Sequence, residues 1–205
     1  PGAPLVMYFN SPTYLKPLAD ALCTSSTAMS VIESFSSPIV LFGPDKHIAH
    51  YIQQRTTKKI VSVCDGYCYV HQYDLDRLKM LMAQHPDAGV VIHPECASEI
   101  QSFAHFIGGT SAMRNYVSSG KHDTYVIGCD YNLTRFFAEE NPDKLILSID
   151  ANNRCAEMRR FNLQSIYQTL INETPEIKIQ GLTCEEEATI QKQLMALKPK
   201  AGADK

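Results

Sequence analysis

The sequence lacks several features that would each narrow its class. No two of its seven cysteines form a CxxC pair, and their number is odd: Cys23, Cys64, Cys68, Cys96, Cys129, Cys155 and Cys184. That scatter argues against a disulfide framework at this length and for reduced thiols in a cytosol. Basic charge is not in excess; the formal net charge is -3, so no bulk field points to nucleic acid. Apolar runs such as SPIVLFG and DAGVVIHPEC are too short to span a bilayer, which leaves no membrane role. Its opening residues do not read as a secretory signal. The chain opens on PGAPLVMYFN without a Met, almost directly in a strand-like run, so it is expected to be a fragment with something upstream removed.

What is present is enough apolar residue, 44% of 205, for one large core or two small ones. The chain also resembles itself. LVMYFNSP (5–12) parallels GVVIHPEC (89–96), TSSTAM (24–29) parallels TSAM (110–113), and SPIVLFGPD (37–45) parallels DTYVIGCD (123–130). IAHYIQQRTTKKIVSV (48–63) parallels LTRFFAEENPDKLILSI (133–149), and Cys68 then falls opposite Cys155. This alignment sets Asn10 opposite His93 and Asp45 opposite Asp130.

Each unit predicts a buried strand, a helical stretch (LKPLADAL or ASEIQSFAHFI), a TS turn opening a second helix, a second strand, a third helix and a third strand. Ser and Thr suit helix starts because their hydroxyls accept from unpaired N–H groups. Alternating strands and helices imply a parallel sheet with right-handed crossovers. The expected fold is therefore α/β: repeated three-layer parallel-sheet domains related by pseudo-symmetry. The units are placed at 1–85 and 86–197, the second carrying the closing helix CEEEATIQKQLMALK, with a frayed tail at 198–205.

In such sheets ligands bind beyond the carboxyl ends of the strands. The candidates there are Tyr8 and Asn10, Asp45 and Lys46, Cys68 and His71, His93 and Glu95, Asp130, and Cys155. Taken alone, Cys68 is more often a core thiol and His71 a hydrogen-bonded core histidine. Glu95 alone could be a helix-capping carboxylate, and Asp45–Lys46 an exposed ion pair. Ser25 and Thr110 alone read as helix caps. The equivalence of Cys68 and Cys155 favours a shared ligand role, although two thiolates do not fill a metal's coordination shell.

The ordered set GYCYVH (66–71), HPEC (93–96), GTSAM (109–113) and CAEM (155–158), with YFN (8–10), CTSSTA (23–28) and GPDKHIAHY (43–51), resembles the quinolinate synthase family from about residue 5 to about residue 197. The resemblance implies three similar α/β domains around a pseudo-threefold axis, of which this chain holds the second and third. It implies a [4Fe-4S] cluster with Cys68 and Cys155 as two ligands and a third cysteine from an absent amino-terminal domain. The implied reaction condenses iminoaspartate with dihydroxyacetone phosphate to quinolinate, releasing phosphate and water, in NAD biosynthesis. Aspartate oxidase would supply the iminoaspartate.

By the same resemblance Glu95 and His93 are the catalytic pair, and Tyr8, Asn10, Ser25, His71 and Thr110 bind substrate. The other five cysteines are read as structural. The family usually has Ser-Thr where this chain has Gly109-Thr110, so one hydroxyl contact is expected to be missing. Asp45, Lys46 and Asp130 receive no direct role. Alone, this chain is expected to hold a cluster poorly and be inactive. Two rival readings are a non-catalytic two-domain metabolite binder and a zinc site from Cys68, His71 and Cys155. Colour separates the last from an iron–sulfur cluster, which is brown.

Overall fold

The computed structural model describes residues 2–172 and 182–196; the expected tail at 198–205 lies outside the described residues. Eight strands form two four-stranded parallel sheets. The first contains β1 (Leu5–Tyr8), β2 (Ala21–Cys23), β3 (Ile39–Gly43) and β4 (Lys59–Ser62) in the order β2-β1-β3-β4. The second contains β5 (Gly89–Ile92), β6 (Phe106–Ile107), β7 (Thr124–Gly128) and β8 (Leu145–Ser148) in the order β6-β5-β7-β8.

The repeat extends to strand register. Leu5 pairs with Leu41 as Val90 pairs with Val126, and Val6 pairs with Ala21 as Val91 pairs with Phe106. The strand residues of the two equivalent core clusters, Val6 and Val91, Val40 and Tyr125, and Phe42 and Ile127, stand 85 residues apart, so Asn10 stands opposite Glu95 and not opposite His93. Each unit also has one more strand than the sequence patterns suggest. LKPLADAL forms a short 3-10 helix, Thr13–Leu18, and then enters β2. Pro17 inside that turn has no N–H for a longer helix, and pairing with β1 captures Ala21–Cys23. Likewise ASEIQSFAHFI forms only α4 (Ser98–Gln101) before β6. There the His105 Nδ1 accepts from the Val90 N–H at 3.0 Å, tying the segment to the sheet edge.

Alternate strand residues face opposite layers, as a period of two requires. On one face of the first sheet Val6, Val40 and Phe42 meet α1 (Ala28–Glu33) and α2 (Lys46–Gln53) through Ile32, Ile48 and Ile52. On the equivalent face of the second, Val91, Tyr125 and Ile127 meet α5 (Thr110–Ser118) and α6 (Tyr131–Glu140) through Met113, Val117 and Phe137.

The remaining faces are covered differently. α3 (Leu75–Gln84) packs Leu78 against Val90, Val126 and Ile149 of the second sheet. α8 (Cys184–Ala196) returns to the first sheet, where Leu194 joins Met7, Ala19 and Leu22 and Gln193 donates to the Ala19 carbonyl at 2.7 Å. The two sheets are also tied directly: Tyr73 donates to the Cys129 carbonyl at 2.6 Å, and Gln101 Nε2 donates to the Pro94 and Cys96 carbonyls and reaches the His47 carbonyl of α2. Between β8 and α8 lies α7 (Leu163–Asn172). Among the described residues no helix is long and apolar enough to cross a membrane.

Phe42 is fully buried at the centre of the first core. Phe42→Ala is expected to lower unfolding free energy by roughly 3–5 kcal/mol through lost burial and a residual cavity. Urea denaturation monitored by circular dichroism checks this.

Candidate active site

All strands run the same way within each sheet, so polar residues after their carboxyl ends collect at one edge. There they bound a cavity of about 1160 Å³. Tyr8, Asn10, Ser25, Cys68, His71, His93, Glu95, Thr110 and Cys155 all line it, so every residue singled out above as catalytic, substrate-binding or metal-ligating reaches one space.

Its floor is a buried cluster of two imidazoles and a carboxylate. His71 and His93 stack with ring centroids 4.9 Å apart. Both approach the same Glu95 oxygen: His93 Nδ1 lies 3.1 Å and His71 Nδ1 3.5 Å from Oε2. Burial works to raise the Glu95 pKa, but the hydrogen bond and charge of His93 and the Asn10 side chain act against it, and the carboxyl sits below its usual value. His71 is pushed down to about 4, chiefly by burial and then by His93, so it is neutral near pH 7. His93 Nδ1 also lies 3.3 Å from the Glu95 backbone N–H. A proton on Nδ1 bonds to the carboxylate; without that proton the nitrogen accepts from the amide. Either state is accommodated, which suits a group that gives and takes protons.

A second wall comes from the first TS turn. Tyr8 is kept a neutral phenol: burial and the Glu95 charge raise its pKa, against the neighbouring Ser25 hydroxyl. Neither TS turn caps its helix through the residue expected. Ser25 lies three residues before α1, whose N-cap Thr27 makes no side-chain cap bond. Thr27 Oγ1 instead accepts from the Thr24 N–H at 2.9 Å. Thr110 is the first residue of α5, and Gly109 is the N-cap. Both hydroxyls thus remain free of a capping duty. A Cβ at Gly109 would lie 2.7 Å from Ser25 Oγ, so the glycine lets the two turns meet across the cavity.

The two cysteines occupy equivalent loops. The His71 N–H donates to the Cys68 carbonyl at 3.2 Å, and Cys155 Sγ accepts from the Met158 N–H at 3.5 Å. Burial and the Glu95 charge raise Cys68 to about 11, against the backbone N–H groups of Val70 and His71. Soft sulfur donors from two equivalent loops on one cavity fit an iron–sulfur cluster. Binding there would replace the thiol protons.

Taken by itself, Cys68 groups with His71 and Glu95, their donor atoms within 4.8 Å of one another. This differs from the zinc set of Cys68, His71 and Cys155, because Glu95 and not Cys155 completes the close triad. Among the other thiols, Cys129 Sγ lies 3.6 Å from His71 Nε2 and is raised to about 12 by burial. It lines the cavity as well, a position that its reading as a structural cysteine did not anticipate.

One further residue escaped the sequence reading, and two named there without a role have a definite place. Tyr69 accepts from the Ala156 N–H at 2.7 Å, joining the two cysteine loops. Asp45 and Asp130 both line the cavity and are buried. Burial raises the Asp45 carboxyl to about 6, with the Glu95 charge adding to the effect and the N–H groups of Ile48, His47 and Cys68 opposing it. The signal for Tyr69 and the aspartates was their place beside the cysteines or at equivalent helix starts, but their partners are 20 or more residues away.

The Cys68 loop requires a glycine. A Cβ at Gly66 would lie 2.5 Å from the Pro44 carbonyl oxygen, a backbone atom. Gly66→Ala is expected to cost roughly 1–3 kcal/mol and to loosen the loop. Chemical denaturation should show the loss, and iodoacetamide should label Cys68 faster than in the unsubstituted chain.

Residues 1–196 match the family described as quinolinate synthetase A protein. A quinolinate synthase of Methanocaldococcus jannaschii is 37% identical over 186 residues, covering 88% of this chain and 61% of that protein. One from Clostridium novyi is 33% identical over 181 residues (87% and 60%), and one from Thermotoga maritima 30% identical over 178 (86% and 59%). The chain thus spans about three-fifths of the length of the curated relatives it matches.

Proposed function

The chain belongs to the quinolinate synthetase A family, and on that premise we propose that it forms two of the three α/β domains of a quinolinate synthase acting in the cytosol. The units at 1–85 and 86–197 are its second and third domains. The reaction is condensation of iminoaspartate, supplied by an aspartate oxidase, with dihydroxyacetone phosphate to give quinolinate, phosphate and water. The observation that carries this reading is the convergence of Cys68, Cys155 and the His93–Glu95 pair on one cavity.

Cys68 and Cys155 are the residues that would hold a [4Fe-4S] cluster, the third ligand coming from the part of the relatives this chain does not span. When bound with three protein ligands, such a cluster supplies an open iron position that acts as a Lewis acid during dehydration.

The chain's own residues account for binding and proton transfer. Tyr8 and Asn10, at the end of β1, offer neutral hydrogen bonds to a substrate carboxylate without adding charge. Ser25 and Thr110 line the cavity from the two TS turns and offer hydroxyls to carboxylate or phosphate oxygens. Imine–enamine tautomerisation moves a proton from carbon to nitrogen, and the ionised Glu95 carboxylate is the group to accept it. His93, 3.1 Å away, takes the proton on or returns it to a departing hydroxyl. His71, neutral and stacked on His93, holds that ring in place and excludes water from beneath it.

Glu95→Gln keeps the shape of the pair and removes the proton acceptor. In the full-length protein this variant is expected to lower kcat for quinolinate formation about 10²–10⁴-fold with KM little changed. A variant that retains kcat would overturn the assignment of Glu95.

A further inference from the structure

We propose that Asp45 and Asp130 are positioning residues for Cys68 and Cys155, each dividing its two carboxylate oxygens between a helix cap and a cysteine backbone. Asp45 Oδ1 accepts from the His47 and Ile48 N–H groups at 2.9 and 2.8 Å, capping α2. Its Oδ2 accepts from the Cys68 N–H at 3.1 Å. Asp130 Oδ1 accepts from the Asn132 N–H at 2.8 Å, capping α6, and its Oδ2 accepts from the Cys155 N–H at 2.7 Å. The inference rests on the reading of the two cysteines as cluster ligands.

Three observations separate this device from ordinary capping. The first is burial. Asp45 and Asp130 are 3% and 5% exposed, and among the described residues neither makes an ion pair. A cap alone does not need a buried charge, because Ser, Thr or Asn serves as well. Asp74, which caps α3 through Oδ1 and touches no cysteine, is exposed.

The second is recurrence across unequal loops. Asp45 and Cys68 are 23 residues apart, Asp130 and Cys155 are 25. The same contact is nevertheless made, so spacing alone does not dictate it. The third is reinforcement from the next residue. Lys46 N–H donates to the Gly66 carbonyl at 2.8 Å, and Tyr131 N–H to the Asn153 carbonyl at 3.0 Å. In each repeat the start of the helix and the cysteine loop are therefore locked together by two adjacent residues.

The consequence is that each cysteine is set by the end of β3 or β7 and the helix that follows, both rigid elements, and not by its own loop. Groups that orient a metal ligand typically affect metal retention by about 10–100-fold. Asparagine separates the two duties. Its single carbonyl oxygen still caps the helix, while its NH₂ group faces the cysteine N–H, donor against donor.

The test uses the full-length protein that carries this chain, reconstituted anaerobically with iron and sulfide. Asp45→Asn, Asp130→Asn and the control Asp74→Asn are compared with the unsubstituted protein. The readouts are the rate of iron loss to a ferrous chelator, followed by the visible absorption band, and the melting temperature of the apo form. Asp45→Asn and Asp130→Asn are each expected to lose iron about tenfold faster or more, with apo melting temperatures close to the parent, and Asp74→Asn to match the parent in both.

Iron loss at the parental rate in both variants, or equal acceleration in Asp74→Asn, overturns the proposal. If an Asn variant does not fold, Asp45→Ser and Asp130→Ser, which can cap but lack the second oxygen, carry the same comparison. A Cys68→Ala, Cys155→Ala protein that retains the parental iron would instead overturn the ligand reading itself, a separate and distinguishable result.

Discussion

Parallel strands cannot be joined by tight turns. Each must be followed by a crossover, and each leaves its carboxyl end on the same edge of the sheet. In this chain that constraint acts twice, through β1–β4 and β5–β8, and the two edges bound one cavity. Everything chemical in the molecule follows from it. Tyr8 and Asn10 come after β1, Asp45 after β3, Cys68 after β4, His93 and Glu95 after β5, Asp130 after β7 and Cys155 after β8. No side chain has to travel far from its strand to reach the site.

The convergence has an electrostatic cost that the cavity offsets locally. Glu95, Asp45 and Asp130 are buried carboxylates in one region, and no Lys or Arg is paired with any of them among the described residues. Backbone N–H groups and a histidine take the place of cations. Glu95 is stabilised by His93 and Asn10, and Asp45 by three backbone donors. Such an arrangement keeps the cavity free of competing fixed positive charge on its floor. Arg159 is the one Lys or Arg among the described lining residues, and it is exposed.

The two units are alike where they face the cavity and unlike where they do not. The sheet orders, registers and helix faces of α1, α2, α5 and α6 repeat. The outer layers do not: the first sheet is covered by the Thr13–Leu18 turn and α8 from the far end of the chain, the second by α3 and α4. Packing on an outer face asks only for apolar surface of the right size, so different segments serve. The inner edge must place specific atoms, which permits little variation.

Much of this was determined by the sequence alone. The repeat of about 85 residues, the alternation of strand and helix, and the equivalence of Cys68 and Cys155 are periodic signals carried by local residue types. From these the parallel α/β architecture and its polar strand ends are legible. Tertiary structure decided the remainder. LKPLADAL and ASEIQSFAHFI read as helices because their local propensity is helical, yet Ala21–Cys23 and Phe106–Ile107 pair at sheet edges, a partnership no local pattern encodes. Ser25 and Thr110 read as caps, yet Thr27 Oγ1 turns back to the Thr24 N–H and Gly109 occupies the cap. Asp45 and Asp130 read as unassigned polar residues, because their second oxygen bonds a cysteine N–H more than 20 residues away. A carboxylate's choice between one donor and three depends on which backbone folds beside it, and that is settled only when the whole edge assembles.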